Sequence, residues 1–200
     1  MIDTVIFDFG NVLLHWEPRE AFPSRTAAEI DQFFTDFDFA SFNHLQDAGR
    51  SLADGLAAVH TINPEWESWI MEYLHNYDLT ITSPVNGMLE LVTELKAAGF
   101  RLYGLTNWWE ELYHHAPEKI AAIQLMDGVV VSGIEKYAKP DPQIYQILIN
   151  RFDINPATSV FVDDRADNIT AAENLGFTGI LFSDEPALRQ ALTNLAVLGK

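Results

Sequence analysis

Four short segments of this chain carry polar side chains that could do chemistry together. The first contains Asp8, which ends the apolar run Val5-Ile6-Phe7 and precedes Phe9-Gly10-Asn11. The other three are Thr106-Asn107, Lys139 before Pro140, and Asp163-Asp164. They supply three carboxylates, one ammonium, one hydroxyl and one amide. Carboxylates can serve as nucleophiles or as ligands of a hard metal ion, and the other groups can bind an anion.

These segments follow short apolar runs that predict the strands of a parallel sheet. Each run is rich in Val, Ile, Leu or Phe, which is typical of strands buried on both faces. The predicted strands are Thr4–Phe7, Arg101–Leu105, Gly128–Val131, Ser159–Val162 and Thr178–Phe182. Open α/β sheets bind ligands beyond the carboxyl ends of their strands. We therefore expect Asp8, Thr106-Asn107, Lys139 and Asp163-Asp164 to meet at one edge.

Helices are predicted between the strands. Ser83 with Pro84 reads as the start of one helix, and Asp141-Pro142 as the start of another. A third helix is expected from Ala166 to Leu175, and a fourth after Asp184-Glu185-Pro186. This alternation predicts an α/β fold with a doubly wound parallel sheet and right-handed crossovers.

Residues 15–82 interrupt the alternation with aromatic residues at helical spacing, including Phe33, Phe37, Trp66 and Trp69. We expect a small inserted helical domain here, with most of its aromatics forming its own core. The predicted division is a core of residues 1–14 and 83–200 and an insertion of residues 15–82.

The composition limits the classes of partner. The net charge of −17 predicts no binding to nucleic acid or anionic membranes. The absence of cysteine, of a signal-peptide pattern and of a long apolar run favours a cytoplasmic protein that does not span a membrane. An anionic substrate would need local positive charge to enter such an acidic protein.

A divalent cation would resolve this conflict. Three adjacent carboxylates cannot all stay ionised without a cation. Mg²⁺ takes oxygen ligands and is commonly held by carboxylates together with substrate phosphate. We therefore predict Mg²⁺ as cofactor, Lys139 as a further positive charge, Thr106 and Asn107 as hydrogen-bond donors to phosphoryl oxygens, and a small anionic phosphorylated metabolite as substrate.

The order Asp8-x-Gly10-Asn11-Val12, Thr106-Asn107, Lys139-Pro140 and Asp163-Asp164 resembles the four motifs of the haloacid dehalogenase superfamily of hydrolases. The resemblance implies a Rossmann-like core with the insertion as a helical cap of the first type. It implies that Asp8 is the nucleophile that forms an aspartyl phosphate, and that Thr106 and Lys139 bind the phosphoryl group. It further implies that Asp8, the Gly10 carbonyl and Asp164 hold Mg²⁺, with Asp163 acting through water, and that Asp167 and Asn168 support them.

One position departs from the phosphatase pattern. Gly10 stands where the resemblance implies a second aspartate that acts as general acid and base. His44, Gln46 or Asp47 of the insertion, or His114 and His115, could supply the proton. Alternatively, the leaving group needs little protonation, as in a sugar 1-phosphate. A bacterial subgroup with the same Asp-x-Gly-Asn start is similar in this respect and acts on sugar phosphates such as glucose 1-phosphate.

Two other functions stay open. A metal-independent 2-haloacid dehalogenase would use the same nucleophile on carbon and also lacks the second aspartate. Asp163 and Asp164 argue against it, because uncompensated acids beside Asp8 would repel a carboxylate substrate. The second alternative is a catalytically decayed binding module.

Overall fold

The strands of this protein form one large and one small sheet in a computed structural model that describes residues 1–199. Seven strands occur in this range: β1 (Thr4–Phe7), β2 (Leu14–Trp16), β3 (Ile81–Pro84), β4 (Arg101–Thr106), β5 (Gly128–Val131), β6 (Ser159–Asp163) and β7 (Thr178–Leu181). The large sheet has the order β5-β4-β1-β6-β7, and all of its neighbours are parallel. The predicted doubly wound parallel sheet is therefore confirmed, and each of its strands lies within one residue of the expected range.

Helices connect these strands. They are α1 (Ala27–Asp36), α2 (Phe39–Asp47), α3 (Leu52–Ile62), α4 (Trp66–His75), α5 (Tyr77–Thr80), α6 (Met88–Ala97), α7 (His115–Lys119), α8 (Ser132–Glu135), α9 (Pro142–Phe152), α10 (Ala166–Glu173) and α11 (Glu185–Asn194). Within residues 1–199, no helix has the length and apolar character that crossing a bilayer requires.

Alternate residues of the central strands face two separate apolar layers, as expected when both faces of a parallel sheet are covered. Ile6 of β1 packs in the layer that holds Ile144, Tyr145 and Leu148 of α9. Its neighbours Val5 and Phe7 pack in the layer formed with α6 and α11. All three of these β1 side chains are completely buried. This packing holds β1 in place between the two layers and so determines the position of Asp8, which directly follows it.

The small sheet pairs β2 with β3 in antiparallel orientation, with Leu14 opposite Pro84 and His15 opposite Ser83. The prediction that Ser83 and Pro84 begin a helix is therefore wrong. Helix α6 begins at Met88, after Gly87 in the left-handed region with φ of 80°. The small sheet joins the two ends of the segment that contains α1 to α5.

Aromatic side chains fill the interior of that segment. Phe33 of α1 stacks on Trp69 of α4 with ring centroids 4.4 Å apart and an interplanar angle of 4°. Phe33, Phe37, Phe39 and Phe42 are all buried. The two predicted boundaries, after residue 14 and after residue 82, fall inside the small sheet. The division into two domains stays a prediction.

Candidate active site

The carboxyl ends of β1, β4 and β6 lie side by side, and this arrangement brings the predicted residues together. Phe7 pairs with Gly104 of β4 and with Val162 of β6. The backbone N–H of Asp8 donates to the carbonyl of Val162 at 2.9 Å. Asp8 therefore stands level with the end of β6, where Asp163 and Asp164 follow.

Lys139 reaches this edge from the loop before α9. The Asn107 side chain holds that loop, because its Nδ2 donates to the Lys139 carbonyl at 2.9 Å and its Oδ1 accepts from the Lys139 N–H at 2.8 Å. The ammonium Nζ of Lys139 then lies 2.9 Å from Oδ1 of Asp8 and 2.6 Å from Oδ2 of Asp163. Both polar ends of the Asn107 amide are engaged, which favours a positioning role for this side chain over the expected phosphate contact.

Asp163 lies behind Asp8 and is completely buried. Its Oδ1 accepts hydrogen bonds from the N–H of Arg165 and from Asn168 Nδ2, both at 2.9 Å. Its Oδ2 accepts from Lys139 Nζ and, at 3.1 Å, from Asn168 Nδ2. Asp163 is therefore enclosed by donors, and it orients Lys139. Asn168 stands behind it, where the sequence placed a supporting residue.

An oxygen-rich cluster sits at the same edge. Asp8, Asp163 and Asp164 each offer one carboxylate oxygen, and these three oxygens lie within 4.8 Å of one another. Asp8, Gly10 and Asp164 also line the adjacent cavity. Oxygen donors at this density suit Mg²⁺, which takes hard oxygen ligands. The residues present therefore fit the predicted cation, with Asp8, Asp164 and the backbone of Gly10 facing the cavity and Asp163 behind them.

The charges of the site perturb one another. Burial, reinforced by the carboxylates of Asp163 and Asp164, raises the pKa of Asp8 to about 7 against the opposing effect of Lys139. Burial also raises the pKa of Asp164, with Asp163 adding to the effect. Burial alone would lower the pKa of Lys139, but the carboxylates of Asp8 and Asp163 outweigh it and raise this pKa. Lys139 therefore stays charged. The pKa of Asp8 would fall, and its ionised form would be favoured, if further positive charge were bound nearby.

Thr106 ends β4 beside Asp8 and is 1% exposed. Its hydroxyl finds no hydrogen-bond partner among residues 1–199. A buried hydroxyl without a partner costs free energy unless something binds it, so this group fits a ligand oxygen. Contact between Thr106 and a phosphoryl group stays a prediction.

A cavity of about 620 Å³ opens above Asp8. Its walls combine the carboxyl edge of the large sheet with residues of α1, α2, α4 and α5. Eight aromatic side chains contribute to the lining: Trp16, Phe34, Phe37, Phe39, Tyr73, Tyr77, Trp108 and Trp109. Asp47 and His44 of the insertion line the cavity too, whereas the expected proton-donor candidates Gln46, His114 and His115 do not.

Two residues at the cavity, Asn11 and Arg165, had no role assigned from the sequence. Asn11 adopts φ of 57°, and its Nδ2 lies 3.5 Å from Oδ2 of Asp164. Asparagine tolerates this left-handed conformation better than most residues. An asparagine directly after Gly10 was therefore the signal in the sequence for a sharp turn beside Asp8. Arg165 lines the cavity and pairs with Asp167, with Nη2 2.8 Å from Oδ2. Asp167 was expected to support Asp163 and Asp164, but its carboxylate pairs with Arg165 instead. Nothing in the sequence indicated this ion pair.

Comparison with known proteins gives related sequences and folds. Residues 2–176 match the family of haloacid dehalogenase-like hydrolases. A sesquiterpene phosphatase from Aspergillus oryzae is 32% identical over 108 residues, which are 54% of this chain and 55% of that protein. The (S)-2-haloacid dehalogenase 4A from Burkholderia cepacia is 30% identical over 91 residues, 46% of this chain and 39% of that protein. The chain thus spans about half the length of the first relative and less of the second.

Solved structures share the fold. The HAD family enzyme bt-2542 from Bacteroides thetaiotaomicron, in complex with magnesium and inorganic phosphate, superposes with a TM-score of 0.68 at 17% identity. The match covers 92% of this chain and 96% of that chain.

Proposed function

This chain belongs to the haloacid dehalogenase-like hydrolases, and from that premise we propose that it is a Mg²⁺-dependent phosphatase. Its substrate is a small phosphomonoester, a sugar phosphate such as glucose 1-phosphate. The reaction runs through an aspartyl phosphate on Asp8. Its relatives include both a phosphatase and a dehalogenase, so the choice between them rests on the site.

The main support for the proposal comes from the groups that surround Asp8. Its carboxylate lines the cavity, lies 2.9 Å from the Lys139 ammonium, and shares an oxygen cluster with Asp163 and Asp164. Such a cluster suits a divalent cation and a phosphoryl group, which neutralise each other. The related enzyme bt-2542 binds magnesium and inorganic phosphate, which supports the same ligands here.

Asp8 performs the chemistry in two steps. A carboxylate oxygen of Asp8 forms a bond to phosphorus while the bond from phosphorus to the leaving oxygen breaks. Water then attacks the aspartyl phosphate, which releases phosphate and restores Asp8. Lys139 holds Asp8 in place and offsets the charge of the incoming phosphoryl group, while the Thr106 hydroxyl donates to a phosphoryl oxygen.

Mg²⁺, when bound, would be held by Asp8, Asp164 and the Gly10 carbonyl, and it would neutralise phosphate charge and align the ester for in-line attack. Asp163, enclosed by four hydrogen bonds, keeps Lys139 directed at Asp8.

The aromatic wall of the cavity supports a substrate with a ring to stack on. Trp16, Trp108 and Trp109 all line it, and aromatic faces pack well against the C–H faces of sugars. Residues 15–82 form the cap in this proposal: α1, α2, α4 and α5 supply the wall opposite Asp8 and shield the site from bulk solvent. We place the protein in the cytoplasm.

A dehalogenase is the second candidate, favoured by Gly10 and by the dehalogenase relative. Asp164 beside Asp8 weighs against it, because a 2-haloacid carboxylate would meet a second negative charge in the same cavity. A decayed binding module fits poorly with a nucleophile, a lysine and two acids all in place.

Phosphate release tests the proposal. A panel of sugar phosphates, with glucose 1-phosphate first, is assayed with Mg²⁺ and with EDTA, using the native protein, Asp8→Asn and the exposed-site control Asp153→Asn. We expect release by the native protein and the control only with Mg²⁺, and background release by Asp8→Asn. Metal-independent halide release from 2-chloropropionate, without phosphate release, would establish the dehalogenase instead.

A further inference from the structure

The proposed reaction lacks an assigned proton donor for the leaving oxygen. An ordinary alcohol leaving group, such as the 6-hydroxyl of glucose, needs a proton as the ester bond breaks, more than the anomeric oxygen of a sugar 1-phosphate does. Positioned acids typically contribute 10²–10⁴-fold to such steps. Asp8 acts as the nucleophile, and Asp163 is enclosed by hydrogen-bond donors. Gly10 has no side chain. The donor must therefore come from elsewhere on the cavity wall.

Asp47 lies on that wall. It is the last residue of α2, it is 8% exposed, and it lines the same cavity as Asp8. It does not belong to the cluster of Asp8, Asp163 and Asp164 whose oxygens lie within 4.8 Å of one another. As part of α2, it lines the cavity from the insertion. The space between these two walls is where the substrate must sit.

The surroundings of Asp47 favour its protonated form. Among residues 1–199, no ion pair within 4.0 Å involves Asp47. Asn43 Nδ2 donates to Oδ2 of Asp47 at 2.9 Å, and this contact opposes protonation but comes from a neutral amide. A carboxylate in the last turn of a helix also faces the negative end of the helix dipole. Burial disfavours the ionised form of a carboxyl group, and no directly paired cation offsets this effect at Asp47.

The charges around Asp47 partly oppose one another. Asp8 faces it with like charge, Lys139 and Arg165 with opposite charge, and the hydroxyls of Tyr73 and Tyr77 complete the set. Burial is the largest influence and, together with Asp8, raises the pKa of Asp47 well above its usual range.

We propose that Asp47 is the general acid and base of this site, in place of the side chain that Gly10 lacks. This inference rests on the proposed phosphatase function. As Asp8 bonds to phosphorus, the electron pair of the breaking ester bond goes to the leaving oxygen, which takes the proton of Asp47 and departs as an alcohol. The Asp47 carboxylate then takes one proton from the attacking water, whose oxygen bonds to phosphorus. Phosphate leaves, and Asp8 and Asp47 return to their starting forms.

The other candidates are less well placed. His44 lines the cavity but is exposed to solvent, and Gln46 has no acidic proton. His114 and His115 do not line the cavity. His44 is therefore the rival that an experiment must separate from Asp47.

The leaving group distinguishes an acid from a merely structural residue. With Mg²⁺ present, kcat/KM is measured for p-nitrophenyl phosphate, whose leaving phenol is acidic, and for glucose 6-phosphate, whose leaving alcohol is not. We expect Asp47→Asn to lower the value for glucose 6-phosphate on the order of 10²–10⁴-fold and that for p-nitrophenyl phosphate less than about 3-fold. Asp8→Asn should abolish both.

Restoring an acid at position 10 gives a second, independent readout. A Cβ built on Gly10 meets nothing within 4 Å, so Gly10→Asp can be accommodated. Combined with Asp47→Asn, it should raise the hydrolysis of glucose 6-phosphate above that of Asp47→Asn alone. Thermal unfolding of each variant shows that it is folded.

Several results would overturn the inference. They are an equal loss on both substrates in Asp47→Asn, no loss on glucose 6-phosphate, or the leaving-group dependence appearing in His44→Gln instead. A native protein that hydrolyses p-nitrophenyl phosphate but not glucose 6-phosphate would overturn it as well, while leaving the chemistry of Asp8 intact. If the native protein hydrolyses no phosphate ester, or if Asp8→Asn retains full activity, the proposed phosphatase function itself is wrong.

Discussion

The ammonium nitrogen of Lys139 lies 2.9 Å from Oδ1 of Asp8, and both side chains are buried at the carboxyl edge of the sheet. The same nitrogen contacts Asp163 at 2.6 Å. One lysine therefore compensates two acids, one that directly follows β1 and one that ends β6. This contact joins the stability of the protein to its proposed chemistry.

Removing Lys139 should harm both properties. Lys139→Met leaves two buried carboxylates without their cation, which typically costs about 3–5 kcal/mol of unfolding free energy. Lys136→Met is the matched control, because its ion pair with Glu110 is more than half exposed and exposed pairs contribute only about 0–1 kcal/mol. Urea unfolding measures both. Equal losses in the two variants would contradict the role of Lys139.

Asp8 should make the stability of the metal-free protein depend on pH. Its pKa rises from 3.8 to about 7 through burial, so between these values the folded protein binds a proton that the unfolded chain releases. The free energy of unfolding should therefore fall as the pH rises from about 4 to about 7. Asp8→Asn should flatten this fall, as measured by denaturant unfolding in EDTA. An unchanged slope in the variant would count against the burial of an ionisable Asp8.

Mg²⁺ should stabilise the protein through Asp164. A ligand that binds only the folded state adds about 2.7 kcal/mol at 100 times its Kd, so the melting temperature should rise with added Mg²⁺. Asp164→Asn should abolish this shift. Asp167→Asn should retain it, because Asp167 is exposed and pairs with Arg165. A shift that survives in Asp164→Asn would place the cation elsewhere.

Asn168 should contribute to stability through Asp163. Its Nδ2 lies 2.9 and 3.1 Å from the two carboxylate oxygens of this buried acid, and hydrogen bonds to charged groups contribute about 1.5–3 kcal/mol. Asn168→Ala should lose about that much in a denaturant melt. In contrast, Asn150→Ala on the solvent-facing side of α9 removes only an exposed contact with Gln146 and should change little. A similar loss in both variants would contradict the importance of the Asn168 contact.

The sequence predicted the large sheet well because its strands are short apolar runs buried on both faces. Burial alone dictates their composition, so Thr4–Phe7 and Gly128–Val131 match the observed strands in full. The carboxyl-edge rule then located Asp8, Lys139, Asp163 and Asp164 at one edge without further information.

The small sheet could not be predicted in the same way. Leu14–Trp16 and Ile81–Pro84 are distant in the chain, and only their pairing makes them strands. Ser83-Pro84 carries the local signal of a helix start, but tertiary contact overrides it. Likewise, nothing in the sequence shows that the Asn107 side chain forms hydrogen bonds with the backbone of Lys139. Nor does it show that Asp47 rather than Gln46 lines the cavity. Both features depend on how distant segments pack.

Direct detection of a phosphoryl group on Asp8 tests the central claim. The native protein is mixed with Mg²⁺ and a hydrolysed sugar phosphate, quenched in acid within milliseconds, and digested for mass spectrometry. The account predicts a phosphoryl adduct on the peptide that contains Asp8, absent in Asp8→Asn and lost when the reaction is allowed to finish. Steady phosphate release with no adduct on Asp8, or with the adduct on another residue, would contradict it.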